Sequence, residues 1–104
     1  MKDAFQALAH PVRRRILAML RERAMSAGDI ADEFNLAKPT LSGHFQVLRE
    51  AGLVTTERRG TALIYRINLS VAEEAAAELM TLLKVGGADL DRVAAARAAK
   101  GKPA

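Results

Sequence analysis

Apolar positions recur along this chain with two different periods, and the order in which those periods change outlines the fold. Residues 3–9 (DAFQALA) set Phe5 and Leu8 three apart on one face of a short predicted helix. His10-Pro11 then punctuates the chain, and proline suits the first turn of a helix, where its missing N–H is not needed. Residues 11–23 carry Val12, Ile16, Leu17, Met19 and Leu20 at helical spacing, with arginines over much of the remaining surface. A third helix is predicted over 26–34, with Ser26 as N-cap, Asp29 in the first turn and Ile30 and Phe34 four apart. Asn35-Leu36-Ala37 makes a short connection. Lys38-Pro39 opens a further helix over 38–52 that sets Leu41, Phe45 and Leu48 on one face and ends at Gly52.

The period then changes to two. Residues 53–59 and 62–68 read as strands joined by a turn at Arg59-Gly60-Thr61, a hairpin with a basic tip. Helical spacing returns over 71–84 with Ala72, Ala75, Ala76, Leu79, Leu82 and Leu83, and Gly86-Gly87 breaks it. The expected fold is mainly α with a small two-stranded β-wing. Its domain spans residues 1–85, followed by a helix-prone or partly disordered tail over 86–104.

Two helices joined by three residues match a helix-turn-helix. Ala31 is small where the pair would cross, and Leu36 and Leu41 are expected to plug the corner. Away from its apolar face the second helix offers Lys38, Pro39, Thr40, Ser42, Gly43, His44 and Gln46. Short polar side chains reach base edges in a major groove, and a glycine allows close approach. Taken alone, this surface fits an ordinary solvated face equally well. The following hairpin shifts the balance, because Arg58 and Arg59 at its tip suit flanking phosphates or the minor groove.

Charge and composition sharpen the picture only in part. Net charge is +4, and residues 1–70 hold eleven Lys and Arg against seven Asp and Glu, whereas residues 71–104 hold five of each. A basic excess confined to one region fits a phosphate-backbone partner, although +4 alone fits a solvated surface too. The chain has no cysteine, which excludes disulfides, thiolate metal sites and thiol chemistry. No paired carboxylates, metal-ligand spacing, phosphate loop or nucleophile elbow occurs, so an enzyme is not expected and no cofactor is implied. Apolar runs are far shorter than the ~18 residues of a membrane span. Met1 to Phe5 does not resemble a signal peptide, so a cytoplasmic protein without membrane insertion is expected.

Several residues have a plain structural reading beside a functional one. His10 reads as a helix cap or packed hinge residue, and His44 as a DNA contact or a structural hydrogen bond. Tyr65 packs the hairpin on the core in preference to stacking on a base. Arg13-Arg14-Arg15 reads as a solvated face, or as ion pairs to the acidic 29–33 segment, in preference to phosphate contacts. Met19 and Met25 read as core filler.

ALAHPVRRRILAML, SAGDIADEFNLAKPTLSGHFQVLREAGLV and ERRGTALIYRIN resemble the ArsR/SmtB family of bacterial winged-helix repressors. With Lys-Pro-Thr-Leu-Ser opening the second helix, the chain looks most like the SdpR-like autorepressor subgroup. The resemblance covers residues 3–83. It implies a homodimer held by the first and last helices, bound to an imperfect inverted repeat in a promoter and repressing its own operon. Carried over residue by residue, DNA contacts fall on Lys38, Thr40, Ser42, His44 and Gln46 and on the wing residues Arg58 and Arg59. The dimer interface falls on Phe5, Leu8, Leu79, Leu82 and Leu83.

The departures concern regulation. Ser26 and Gly28 stand where thiolate-type sensors carry a cysteine pair. Residues 71–84 hold Glu73, Glu74 and Glu78 but no His or Asp, where zinc-type sensors place ligands. A repressor without metal or thiol sensing is expected, released by an unidentified regulatory protein, a small ligand or its own concentration. The alternative is a winged-helix module that binds protein or RNA and does not read DNA. A basic wing argues against it.

Overall fold

The computed structural model describes residues 3–86, together with Arg92 and residues 95–97. The element order is α1 (Ala4–Leu8), α2 (Pro11–Glu22), β1 (Met25–Ser26), α3 (Ala27–Asp32), α4 (Lys38–Glu50), β2 (Val54–Arg59), β3 (Ala62–Ile67) and α5 (Leu69–Leu83). The helices, the hairpin and their order agree with the expected mainly α, winged fold. Most of the expected tail over 86–104 lies outside the described residues.

Each helix start has a local cause. A reciprocal capping box opens α1: Gln6 N–H donates to Asp3 Oδ1 at 2.8 Å, and Asp3 N–H donates to Gln6 Oε1 at 3.3 Å. His10 caps α2, its Nδ1 accepting from Val12 N–H at 3.1 Å, with Pro11 in the first turn. Ser26 Oγ accepts from Asp29 N–H at 3.0 Å and opens α3, and Asn68 Oδ1 accepts from Val71 N–H at 3.4 Å and opens α5. Gly52, at φ 74°, ends α4, where Leu53 N–H donates to Leu48 O at 3.1 Å. In the two-residue hairpin loop Gly60 takes φ 60° and Thr61 does not, the pattern of a type II′ turn.

The structure corrects the expected two-stranded wing. Met25 and Ser26 pair antiparallel with Tyr65 and Ile64, making a three-stranded sheet in the order β1-β3-β2. Two residues are too few to show a period of two, so only the pairing reveals the strand. The third helix also ends earlier than expected, at Asp32. Glu33 N–H turns back to Ile30 O and Phe34 N–H to Ala31 O, tightening its end.

A single cluster joins the elements. Ile16 and Leu20 of α2, Ile30 of α3, Leu41, Phe45 and Leu48 of α4, and Leu53, Val54 and Tyr65 of the hairpin are all buried together. Tyr65 and Phe45 stack with ring centroids 4.6 Å apart, as expected of a tyrosine that seats the hairpin. Met25 is also buried there, and Met19 packs against the cluster. Leu36 is a correction, because it is 40% exposed. The chain between Asp32 and Lys38 carries it away from the corner, which Leu41 and the half-buried Ala31 and Phe34 fill instead.

Candidate nucleic-acid interface

Helix α4 is amphipathic in a way that separates support from presentation. Leu41, Phe45 and Leu48 face the core, while Lys38, Pro39, Thr40, Ser42, Gly43 and Gln46 are all exposed. Nothing lies within 4 Å of a Cβ built on Gly43. The outer surface of α4 is therefore low and open, fringed by hydroxyls, an amide and one ammonium. Gln46 Nε2 donates to Glu50 Oε1 at 3.0 Å, which orients that amide along the helix.

His44 does not belong to this outer face. It is buried, and its Nδ1 accepts from Arg13 Nη1 at 3.1 Å, which corrects its expected place on the groove-facing side. Position 44 lies three residues after Leu41 and four before Leu48, on the flank of the core stripe. That spacing was available in the sequence. Burial, and then the nearby His10 and Arg13 charges, lower the His44 pKa below the ordinary imidazole value.

The arginines of α2 also depart from expectation. Arg13 donates through Nε to Ala7 O at 2.8 Å and through Nη2 to Gln6 O at 3.0 Å, and Arg14 Nη1 donates to Leu8 O at 2.7 Å. Arg13 and Arg14 thereby satisfy the Ala7 and Leu8 carbonyls at the end of α1, and Arg13 adds a second donor to Gln6 O, which already accepts from the Ala9 N–H at 3.2 Å. Arg15 lies over the Phe34 ring at 4.7 Å. The triplet thus fastens α1 and the α3–α4 connection to α2, and does not form the expected ion pairs to the 29–33 segment.

In the wing, the strand alternation divides the charges between two faces. Arg58 shares its face with Val54, Leu63 and Tyr65, the side that packs on the body, and extends beyond the core toward the tip. Arg59 and Arg66 lie on the opposite face with Glu57 between them, at 3.4 Å and 3.7 Å. Arg66 was not singled out from sequence, although its alternation with Tyr65 could have found it. Arg49 Nη1 donates to Tyr65 Oη at 2.7 Å and ties the last turn of α4 to β3. The structure therefore presents the outer face of α4 and a basic ribbon tip from one framework.

Helix α1 also packs against α5. Leu79 is 41%, Leu82 70% and Leu83 60% exposed, and Phe5 and Leu8 are half-buried. A groove of about 420 Å³ runs between Leu8, Leu17, Ile67, Ala75 and Leu79.

Comparison with known proteins defines the class. A helix-turn-helix domain model matches residues 8–57. The chain is 34% identical over 90 residues to the transcriptional repressor SdpR of Bacillus subtilis (strain 168), spanning 86% of this chain and all of SdpR. It resembles the crystal structure of a possible transcriptional regulator for arsenical resistance, with TM-score 0.74 and 29% identity over 91% of this chain and 96% of that one. The transcriptional repressor BigR from Xylella fastidiosa matches with TM-score 0.61 and 33% identity over 75% of this chain and 80% of that one. These are non-enzymatic DNA-binding regulators of transcription, and this chain is one of them. It belongs to the ArsR/SmtB family of winged helix-turn-helix repressors.

Proposed function

We propose that this repressor acts as a homodimer on an inverted-repeat operator, its own promoter included. The observation that carries the reading is the two-sided character of α4, seated by Leu41, Phe45 and Leu48 and open at Gly43. In this reading Thr40, Ser42 and Gln46 read base edges, and Pro39 aims the leading turn. Lys38, Arg58 and Arg59 hold phosphates or enter the minor groove. His44 supports the helix from behind.

Dimerisation through α1 and α5 would cover Phe5, Leu8, Leu79, Leu82 and Leu83. It would place two copies of α4 roughly one DNA turn, ~34 Å, apart on a two-fold site. The exposed leucines of α5 form an apolar surface of the kind that marks a protein interface. With no cysteine in the chain, release from DNA is assigned to a small ligand, a competing protein or falling concentration.

The test is to sequence the genomic DNA that the purified protein retains, then measure mobility shifts on those sites. Enrichment of a symmetric site upstream of its own reading frame is the expected result. Retention of RNA or protein without DNA would replace the proposal with an interaction module.

A further inference from the structure

Behind the exposed face of α4 lies a polar cluster that the DNA-reading surface does not use. His10, at the start of α2, and His44, in α4, bring their rings to 4.4 Å between centroids, tilted by 51°. Arg13 joins them, giving Nη1 to His44 Nδ1 and its Nε and Nη2 to the Ala7 and Gln6 carbonyls of α1. One guanidinium thus spans three helices. It connects the end of α1 to the middle of α4.

The direction of the Arg13–His44 bond is fixed by chemistry. A guanidinium has donors only, so His44 Nδ1 must be the bare acceptor and its proton must sit on Nε2. The His10 Nδ1 is likewise an acceptor, taking the Val12 N–H at 3.1 Å. A second proton on His44 would have to go to Nδ1. That removes the acceptor and sets a positive ring against Arg13, in a part-buried site where repulsion is poorly screened. The charged groups that act on His44 are His10, which caps α2, and Arg13. The packed elements otherwise carry Arg14, Arg15, Arg21 and Glu22 on α2, Asp3 at the cap of α1, Lys38, Arg49 and Glu50 on α4 and Glu57, Arg58 and Arg59 on β2. Asp3 is engaged at the Gln6 N–H and Glu50 at Gln46, so neither carboxylate is given over to the cluster.

We propose that His44 is a positioning residue for α4, an acceptor whose neutral ring locks the helix to Arg13 and α1, and that protonating this ring releases the lock and weakens DNA binding. The inference rests on the reading of α4 as the DNA-contacting helix. The lowered His44 pKa agrees in sign: the folded state favours the neutral ring. The associated stabilisation is full above the unfolded imidazole value of about 6.5 and is lost as pH falls through the lower folded value. The sign also separates this role from direct contact. A histidine touching phosphate would bind DNA more tightly when charged, and here acid loosens the complex.

The experiment measures fluorescence anisotropy of a duplex carrying the retained genomic site, at fixed ionic strength, from pH 7.5 down to 5.5. Wild type should lose affinity on the order of ten-fold, the size of one charge-assisted hydrogen bond. His44→Ala and Arg13→Gln should bind weakly already at pH 7.5. His44→Asn, which offers a non-titrating oxygen near the Nδ1 position, should rescue the alanine loss and flatten the pH profile. A wild-type affinity that rises or stays level on acidification would overturn the proposal, as would a His44→Asn profile as steep as wild type.

A nitrogen NMR titration of the imidazoles in the free protein tests the lock without DNA or substitutions. It should show His44 bare at Nδ1 at neutral pH, and α1 and α4 amide shifts should move together as that ring protonates. A proton on Nδ1 at neutral pH, or α4 amides indifferent to the titration, would refute the lock. If wild type binds no duplex at pH 7.5, the DNA-reading role of α4 fails, and the free-protein titration still decides the lock.

Discussion

Gly43 is where stability and the proposed function pull apart most clearly at the scale of one residue. A glycine inside a helix costs roughly 0.5–1 kcal/mol relative to alanine, and here an added methyl meets nothing within 4 Å. Gly43→Ala should therefore raise the stability of the free protein by about that amount in chemical denaturation. The same methyl should lower affinity for specific DNA, since it stands where the helix backbone is proposed to approach the groove. Equal or tighter binding by this variant would remove Gly43 from the interface. Lys84 offers a control elsewhere: it closes α5 at φ 55°, a left-handed conformation that favours glycine. Lys84→Gly should leave DNA affinity unchanged and raise thermal stability slightly, by about 0.5–1 kcal/mol if relief of the left-handed strain exceeds the added chain entropy.

At the scale of elements, α4 and the wing are proposed to divide the work. Arg58→Ala with Arg59→Ala should weaken binding to every sequence and flatten the salt dependence, by a slope of about 0.9 for each phosphate that is no longer neutralised. Arg59 already shares Glu57 with Arg66, so most of that change should appear in Arg58→Ala alone. Thr40→Ala or Ser42→Ala should cost roughly 1–3 kcal/mol of specific affinity and leave non-specific binding nearly intact. Identical losses of specificity from wing and helix variants, in competition titrations against random duplex, would show that no such division exists.

For the whole molecule, the question is what covers α5. Leu82 is 70% exposed, so Leu82→Glu should hardly disturb the fold of one chain. In a dimer joined by this face, each buried leucine contributes roughly 1.5–3 kcal/mol, and Leu79→Glu with Leu82→Glu should leave a folded monomer. Sedimentation equilibrium checks the mass and circular dichroism the fold, and operator affinity should fall with the dimer. A wild type that sediments as a monomer with and without DNA would dispose of the two-fold model. Regulation is tested at the same scale by titrating the complex with zinc, cadmium, arsenite and peroxide. No specific release at low micromolar concentration is expected: cadmium, arsenite and peroxide find no thiol in the chain, and among the described residues no three His, Asp or Glu side chains converge as a tight zinc site requires.

Which parts of this protein were legible in its sequence follows from the range of the interactions involved. Helix and hairpin positions could be read because their causes are local: the apolar period of Ile16 to Leu20, the cap at Ser26, the glycines at 52 and 60, and the alternation of 62–67. The exposed face of α4 was legible for the same reason, since a helix with Leu41, Phe45 and Leu48 inward must turn Gly43 outward. Even His44 could have been placed inward by its spacing from those leucines, but its polarity pointed the other way. Tertiary structure alone decided the features whose partners lie far along the chain. Met25-Ser26 becomes a strand because β3 passes beside it some forty residues later. Arg13 serves α1 and His44 together, not the solvated face its triplet suggested, because packing brings α1 and α4 to the same side of α2. Leu36 is left outside because the connection, and not its own hydrophobicity, sets where it can reach. Local chemistry determined the elements, and the long-range contacts between them decided what each arginine and histidine is for.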